Sequence, residues 1–83
     1  MENLLKNIED LREQVLKTWR LLDIDGQENM MRDLKNEMNK PDFWKDQKKA
    51  VEIGKKYEEL NSEVIRWKEL KREITELEEL VAV

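Results

Sequence analysis

"NKPDFWKDQ", residues 39–47, is the one place where this chain stops repeating itself. Both sides of it are charged, helix-forming sequence with apolar residues every three or four positions. The only proline, the only phenylalanine and one of the three tryptophans fall between residues 41 and 44. Lys40, which precedes Pro41, is pushed out of helical geometry, and the proline ring would clash with a helix continuing from below. One helix must therefore stop by residue 39 or 40 and another restart beyond the turn. Asn39 suits such a stop because asparagine tolerates a left-handed conformation. Asp42 is placed to cap a short turn of Phe43 and Trp44, and Asp46 to cap a long helix from Gln47. Both rings are expected to fold back over the bundle end, each burying about 150–250 Å². The competing reading is an exposed docking knob. If the plug holds, Trp44→Ala should cost about 3–5 kcal/mol.

Working outward, Leu4, Ile8, Leu11, Val15, Trp19 and Leu22 step by three or four residues, one face of a helix over about 2–22. Leu5, Leu16 and Leu21 widen that face. Asp25-Gly26 reads as a turn, with Asp25 capping a second helix over about 26–39. Met30, Met31, Leu34 and Met38 form its inner face, and so many flexible side chains suggest a helix pressed between two others. The third helix spans about 47–81, roughly 50 Å at 1.5 Å per residue. Its inner row is Ala50, Ile53, Tyr57, Leu60, Val64, Trp67, Leu70, Ile74, Leu77 and Val81. Two consecutive steps of three around Trp67 form a stammer, a local break in the heptad. The expected fold is all-α: a three-helix antiparallel bundle whose long third helix is coiled-coil-like, in a single domain with the turn at 40–46. The long helix outruns its partners in this reading. Leu70, Ile74, Leu77, Leu80 and Val81 are then a bare stripe, and self-association as a homodimer through residues 67–83 is expected.

Composition agrees. Of 83 residues, 43% are charged and only three are Gly or Pro, which disfavours a sheet. There are no cysteines, so no disulfide can staple the fold. The opening "MENLLKNIED" lacks the basic-then-apolar pattern of a signal peptide. No apolar run is long enough for a membrane span. The expected address is cytoplasmic, with no membrane partner.

Charge is unevenly spread. Residues 1–39 carry six basic and nine acidic groups, net −3, and residues 57–83 carry four and eight, net −4. Residues 40–56 carry six lysines against Asp42, Asp46 and Glu52, net +3. This basic island is either a solvated helix start or a contact for phosphates.

The inventory argues against catalysis. There is no His and no Cys, and Thr18, Ser62 and Thr75 are scattered hydroxyls with no base at a recognisable spacing. The exposed glutamates of the long helix share one environment, which cannot split their pKa values into an acid and a base. "DIDGQENMM" (residues 23–31) begins like a calcium loop, but its glycine falls too early and no bidentate Glu closes it. No glycine loop can cradle a phosphate. No catalytic, cofactor-binding or metal residue is assigned, and no small-molecule ligand is expected.

From about Leu11, through "LLDIDGQENMM" to the closing "ELEELVAV", the chain resembles the N-terminal region of bacterial peptide chain release factor 2. The resemblance rests on Leu22-Asp23, Met31, Leu34, Met38, Pro41-Asp42-Phe43-Trp44 and Ala50, and the Pro-Asp-Phe-Trp turn is its specific part. It implies the first, helical domain of a class I release factor acting in translation termination at the stop codons UAA and UGA. The family's Gly-Gly-Gln and Ser-Pro-Phe motifs, which release peptide and read the codon, do not occur here. A non-catalytic piece of a longer multidomain protein is implied. Its partners would be that protein's remaining domains and the stalk base of the large ribosomal subunit, as protein or ribosomal RNA. Charge alone then nominates Lys40, Lys45, Lys48, Lys49, Lys55 and Lys56 as ribosome contacts. Two alternatives remain open at this point. One is a stand-alone helical adaptor or designed bundle; the other is a nucleic-acid-binding module in its own right.

Overall fold

The computed structural model describes residues 2–82, and among them there are three α-helices and no strand. They are α1 (Glu2–Leu21), α2 (Ile24–Met38) and α3 (Gln47–Ala82), with a three-residue 3-10 turn, Phe43–Lys45, ahead of α3. The all-α bundle expected from the periodicity is what forms.

The break between α1 and α2 comes at Leu22-Asp23, earlier than Asp25-Gly26. Asp23 adopts a left-handed conformation, φ 50° and ψ 55°, which aspartate tolerates better than most residues. Its carboxylate accepts a hydrogen bond from the Gly26 amide at 3.2 Å and so caps α2. Gly26 belongs there because a Cβ would lie 2.1 Å from Asp23 Oδ2. Asp25, expected as the cap, instead accepts the Trp19 indole N–H at 3.1 Å. Burial explains the choice. Breaking at Asp23 makes Ile24 the first residue of α2 and drives it fully into the core.

Five pairs trace the packing. Arg12 bonds Glu78 at 2.6 Å, Lys71 lies 4.8 Å above the Trp19 ring, and Lys68 bonds Glu28 at 2.7 Å. Lys35 lies 5.5 Å above the Tyr57 ring, and Lys49 reaches Glu37 at 4.0 Å. Each step along α1 and α2 is a step back along α3. The first two helices therefore follow one another along α3, both antiparallel to it. The molecule is a flat rod, 59 × 23 × 14 Å.

This arrangement corrects several expected inner faces. Each helix has one long neighbour, so only a narrow stripe is covered. Ile8, Val15 and Trp19 of α1 are buried, whereas Leu4, Leu5, Leu11, Leu21 and Leu22 are exposed. In α2, Met31, Leu34 and Met38 are half-buried but Met30 is exposed. The methionine face therefore lies mainly along α3, and only Met31 also borders the cluster that includes Trp19 of α1.

The core has two main clusters. Ile8, Val15 and Ile74 form one, flanked by Trp67, Leu70 and Val81. Trp19, Ile24 and Val64 form the other, flanked by Met31 and Trp67. The bare stripe expected at the end of α3 is thus partly clothed by α1. Ile74 is buried and Leu70 and Val81 are half-buried; only Leu77 and Leu80 stay exposed. Residue 83 of that stretch lies outside the described residues.

Candidate interaction surface at the lysine-rich turn

The connection from α2 to α3 is tied down by its backbone. Asn39 donates to Lys35 O at 3.1 Å and Lys40 to Glu37 O at 3.2 Å, ending α2. Asn39 keeps right-handed backbone, φ −86° and ψ −5°, so the left-handed stop expected there does not form. Phe43 N–H then bonds Lys40 O, and Lys45 N–H bonds Asp42 O, each at 3.1 Å. Asp46 caps α3 by accepting the Lys49 amide at 3.1 Å. Asp42 makes no such cap and pairs with Lys45 Nζ at 3.3 Å.

The two rings of the turn part company. Phe43 is buried, whereas Trp44 is 68% exposed. They touch edge to face, with centroids 4.9 Å apart and planes at 84°. A 3-10 turn advances about 120° per residue, so adjacent side chains cannot both face the bundle. The double plug is therefore a single plug, Phe43, carrying an exposed indole. Trp19 and Trp67 both donate their indole N–H, to Asp25 and Glu63. Among the described residues, that of Trp44 bonds nothing.

The nominated lysines divide into two groups. Lys40, Lys45 and Lys49 surround the turn and are engaged with its acids. Glu37 accepts a hydrogen bond from Lys40 at 3.0 Å and lies 4.0 Å from Lys49. The hydrogen bond from Lys40, then the charges of Lys40 and Lys49, hold the Glu37 carboxyl below its ordinary value. A depressed carboxyl of this kind keeps its pairing above the ordinary carboxylate range and loses it as pH falls. Lys48, Lys55 and Lys56 stand exposed on the first turns of α3, and among the described residues they form no ion pair. Lys48 and Lys55, two helical turns apart, share one outward face. The turn thus presents an indole and three uncommitted cations at one end of an otherwise acidic rod. Sequence reasoning grouped the lysines by charge alone and expected Trp44 inside. The signal available was the Phe-Trp adjacency in a turn too short to bury both.

Among the described residues there is no group of three acidic side chains arranged to hold a metal. Asp23 is committed to its cap and Asp25 to Trp19. Among the described residues, no helix is long and apolar enough to cross a membrane.

The chain is 41% identical, over 86% of its length, to peptide chain release factor 2 of Pseudothermotoga lettingae. It is 33% identical over 94% of its length to peptide chain release factor 2 of Petrotoga mobilis, and 29% over 93% to that of Staphylococcus haemolyticus. It covers 17%, 19% and 21% of those proteins, so it spans about a fifth of the relatives it matches. No solved structure matches it significantly. The PCRF domain profile matches residues 27–83, which takes in α2, the proline turn and α3. With well over half of its length accounted for in this way, the chain belongs to the PCRF domain family, as the Pro-Asp-Phe-Trp turn had indicated.

Proposed function

We propose that this chain is the N-terminal, non-catalytic domain of a class I peptide chain release factor, acting in translation termination in the cytoplasm. The observation that carries this reading is the family match across residues 27–83. On the same reading the parent protein terminates at UAA and UGA, and the domain works beside that protein's remaining domains. It meets the stalk base of the large ribosomal subunit with its lysine-bearing end, through Lys40, Lys45, Lys48, Lys49, Lys55 and Lys56. The role is positional. The chain has no His or Cys, and neither the Gly-Gly-Gln nor the Ser-Pro-Phe motif.

Two measurements test it. The purified chain is expected to leave peptidyl-tRNA intact on a ribosome stalled at a stop codon, and to treat all stop codons alike. Hydrolysis above a buffer blank would sink the non-catalytic assignment. It is also expected to bind isolated large subunits with an affinity that falls steeply as salt rises, the signature of phosphate contacts. A chain that does not bind them has no ribosomal role of this kind.

Self-association now rests on a smaller patch than the sequence suggested, because α1 covers Ile74 and half-covers Leu70 and Val81. Light scattering across a concentration series is expected to show a monomer at the dilute end and, with Leu77 and Leu80 exposed, a weak rise at high concentration. Leu77→Glu should abolish that rise. A dimer mass independent of concentration would contradict this.

A further inference from the structure

Trp44 is the feature that stability does not explain. A residue of this size left 68% in water, beside a partner ring that is buried, gains little for the fold. Its position is nonetheless held. Pro41 restricts the backbone entering the turn, two backbone hydrogen bonds close it, and Phe43 grips one side of the indole. A rigid, exposed aromatic surface loses little conformational freedom when something stacks on it.

The surroundings say what that something is. Six lysines lie between residues 40 and 56, and no arginine lies between residues 33 and 65. Tryptophan anchors in protein interfaces sit in desolvated patches depleted of lysine. An aromatic platform flanked by lysines is instead the arrangement that holds single-stranded nucleic acid, with bases on the ring and phosphates on the cations. Charge along the rod supports the same partner. The net +3 segment is at one end, and the net −3 and −4 segments make up the body. A polyanion attracts the first and repels the rest, so the rod approaches end-on. Glu37 and Asp42 also lie at this end, Glu37 paired with Lys40 and Lys49 and Asp42 with Lys45, while Asp46 is held by the Lys49 backbone amide. Such exposed pairs are weak and yield readily to a phosphate.

Resting on the ribosomal reading above, we infer that Trp44 is a stacking platform for one unpaired ribosomal RNA base, with Lys48 and Lys55 on the flanking phosphates. The base must be unpaired because duplex RNA hides its base faces in the stack.

The test compares the unsubstituted chain with Trp44→Ala, Trp44→Phe and the double variant Lys48→Gln/Lys55→Gln. Binding is measured to intact large subunits and to protein-free RNA extracted from them, at two or more salt concentrations. Thermal unfolding confirms that each variant is folded. Trp44→Ala is expected to weaken binding to both probes about 5- to 100-fold without changing the salt slope. Trp44→Phe should recover most of that loss, because a phenyl ring still stacks. The lysine variant should lower the salt slope by about one per lysine removed. If Trp44→Ala binds both probes as tightly as the unsubstituted chain, the stacking assignment is overturned while the ribosomal reading stands. If the loss is seen with intact subunits but the unsubstituted chain does not bind protein-free RNA, the ring enters a protein pocket and the RNA assignment is overturned. If the unsubstituted chain binds no subunits at all, the ribosomal reading fails first and takes this inference with it.

Discussion

Ile24→Ala is expected to lower the unfolding free energy by about 3 kcal/mol, near the middle of the range for deleting a buried aliphatic side chain. Among the described residues Ile24 is the one large side chain with no solvent exposure at all, and it packs between Trp19 of α1 and Val64 of α3. It is also the first residue of α2, so it locks the end of one helix to the start of the next. Small domains hold only about 5–15 kcal/mol in total, which makes this loss a large fraction of what is available. The melting temperature should fall by roughly 4–8 °C per kcal/mol in a domain of this size. Leu21→Ala is the control. That side chain is 75% exposed three residues earlier, and its removal should move stability by less than about 0.5 kcal/mol. Equal effects from the two would mean that the α1–α2 junction is not docked on α3 as described.

The second large effect separates the neighbours of the proline turn. Phe43→Ala should cost about 3–4 kcal/mol, because it empties the plug at the end of the rod. Trp44→Ala should cost less than about 1 kcal/mol, since an exposed ring has little transfer energy to lose and forfeits mainly its edge-to-face contact. Denaturant titration of the two variants reads the contrast directly. A Trp44→Ala loss approaching that of Phe43→Ala would place the indole in the core. The stability loss of about 3–5 kcal/mol that the sequence suggested for Trp44 is transferred by the structure to Phe43.

Much of this molecule was legible before any coordinate. Pro41 dictated an interruption, and Asp46 capped what followed, since both act on the backbone within a few residues. The stammer at Trp67 also had meaning. Trp67 borders both core clusters, the one built with α1 and the one that includes Ile24 of α2. The inner row of α3 shifts phase where its partner changes. The lysine-rich end was readable because charge is additive along the chain and needs no contact to be counted.

Other features depended on distant neighbours. Asp23 and Asp25 are chemically equal candidates for the cap, and only the burial of Ile24 against Val64 favours the first. Periodicity marked Leu4, Leu11 and Met30 as inward, but it cannot say how many helices will be there to meet them. With α1 and α2 in succession along α3, there is one neighbour and a narrow stripe. Phe43 and Trp44 present equal claims to burial, and a turn of about three residues per revolution can satisfy just one. Helix, break and charge are local properties, set by backbone sterics and by side chains a turn or two away, so the sequence alone determined them. Which aspartate caps, which leucine is covered and which ring is left in water are competitions for the limited area along α3, and only the tertiary structure decided them.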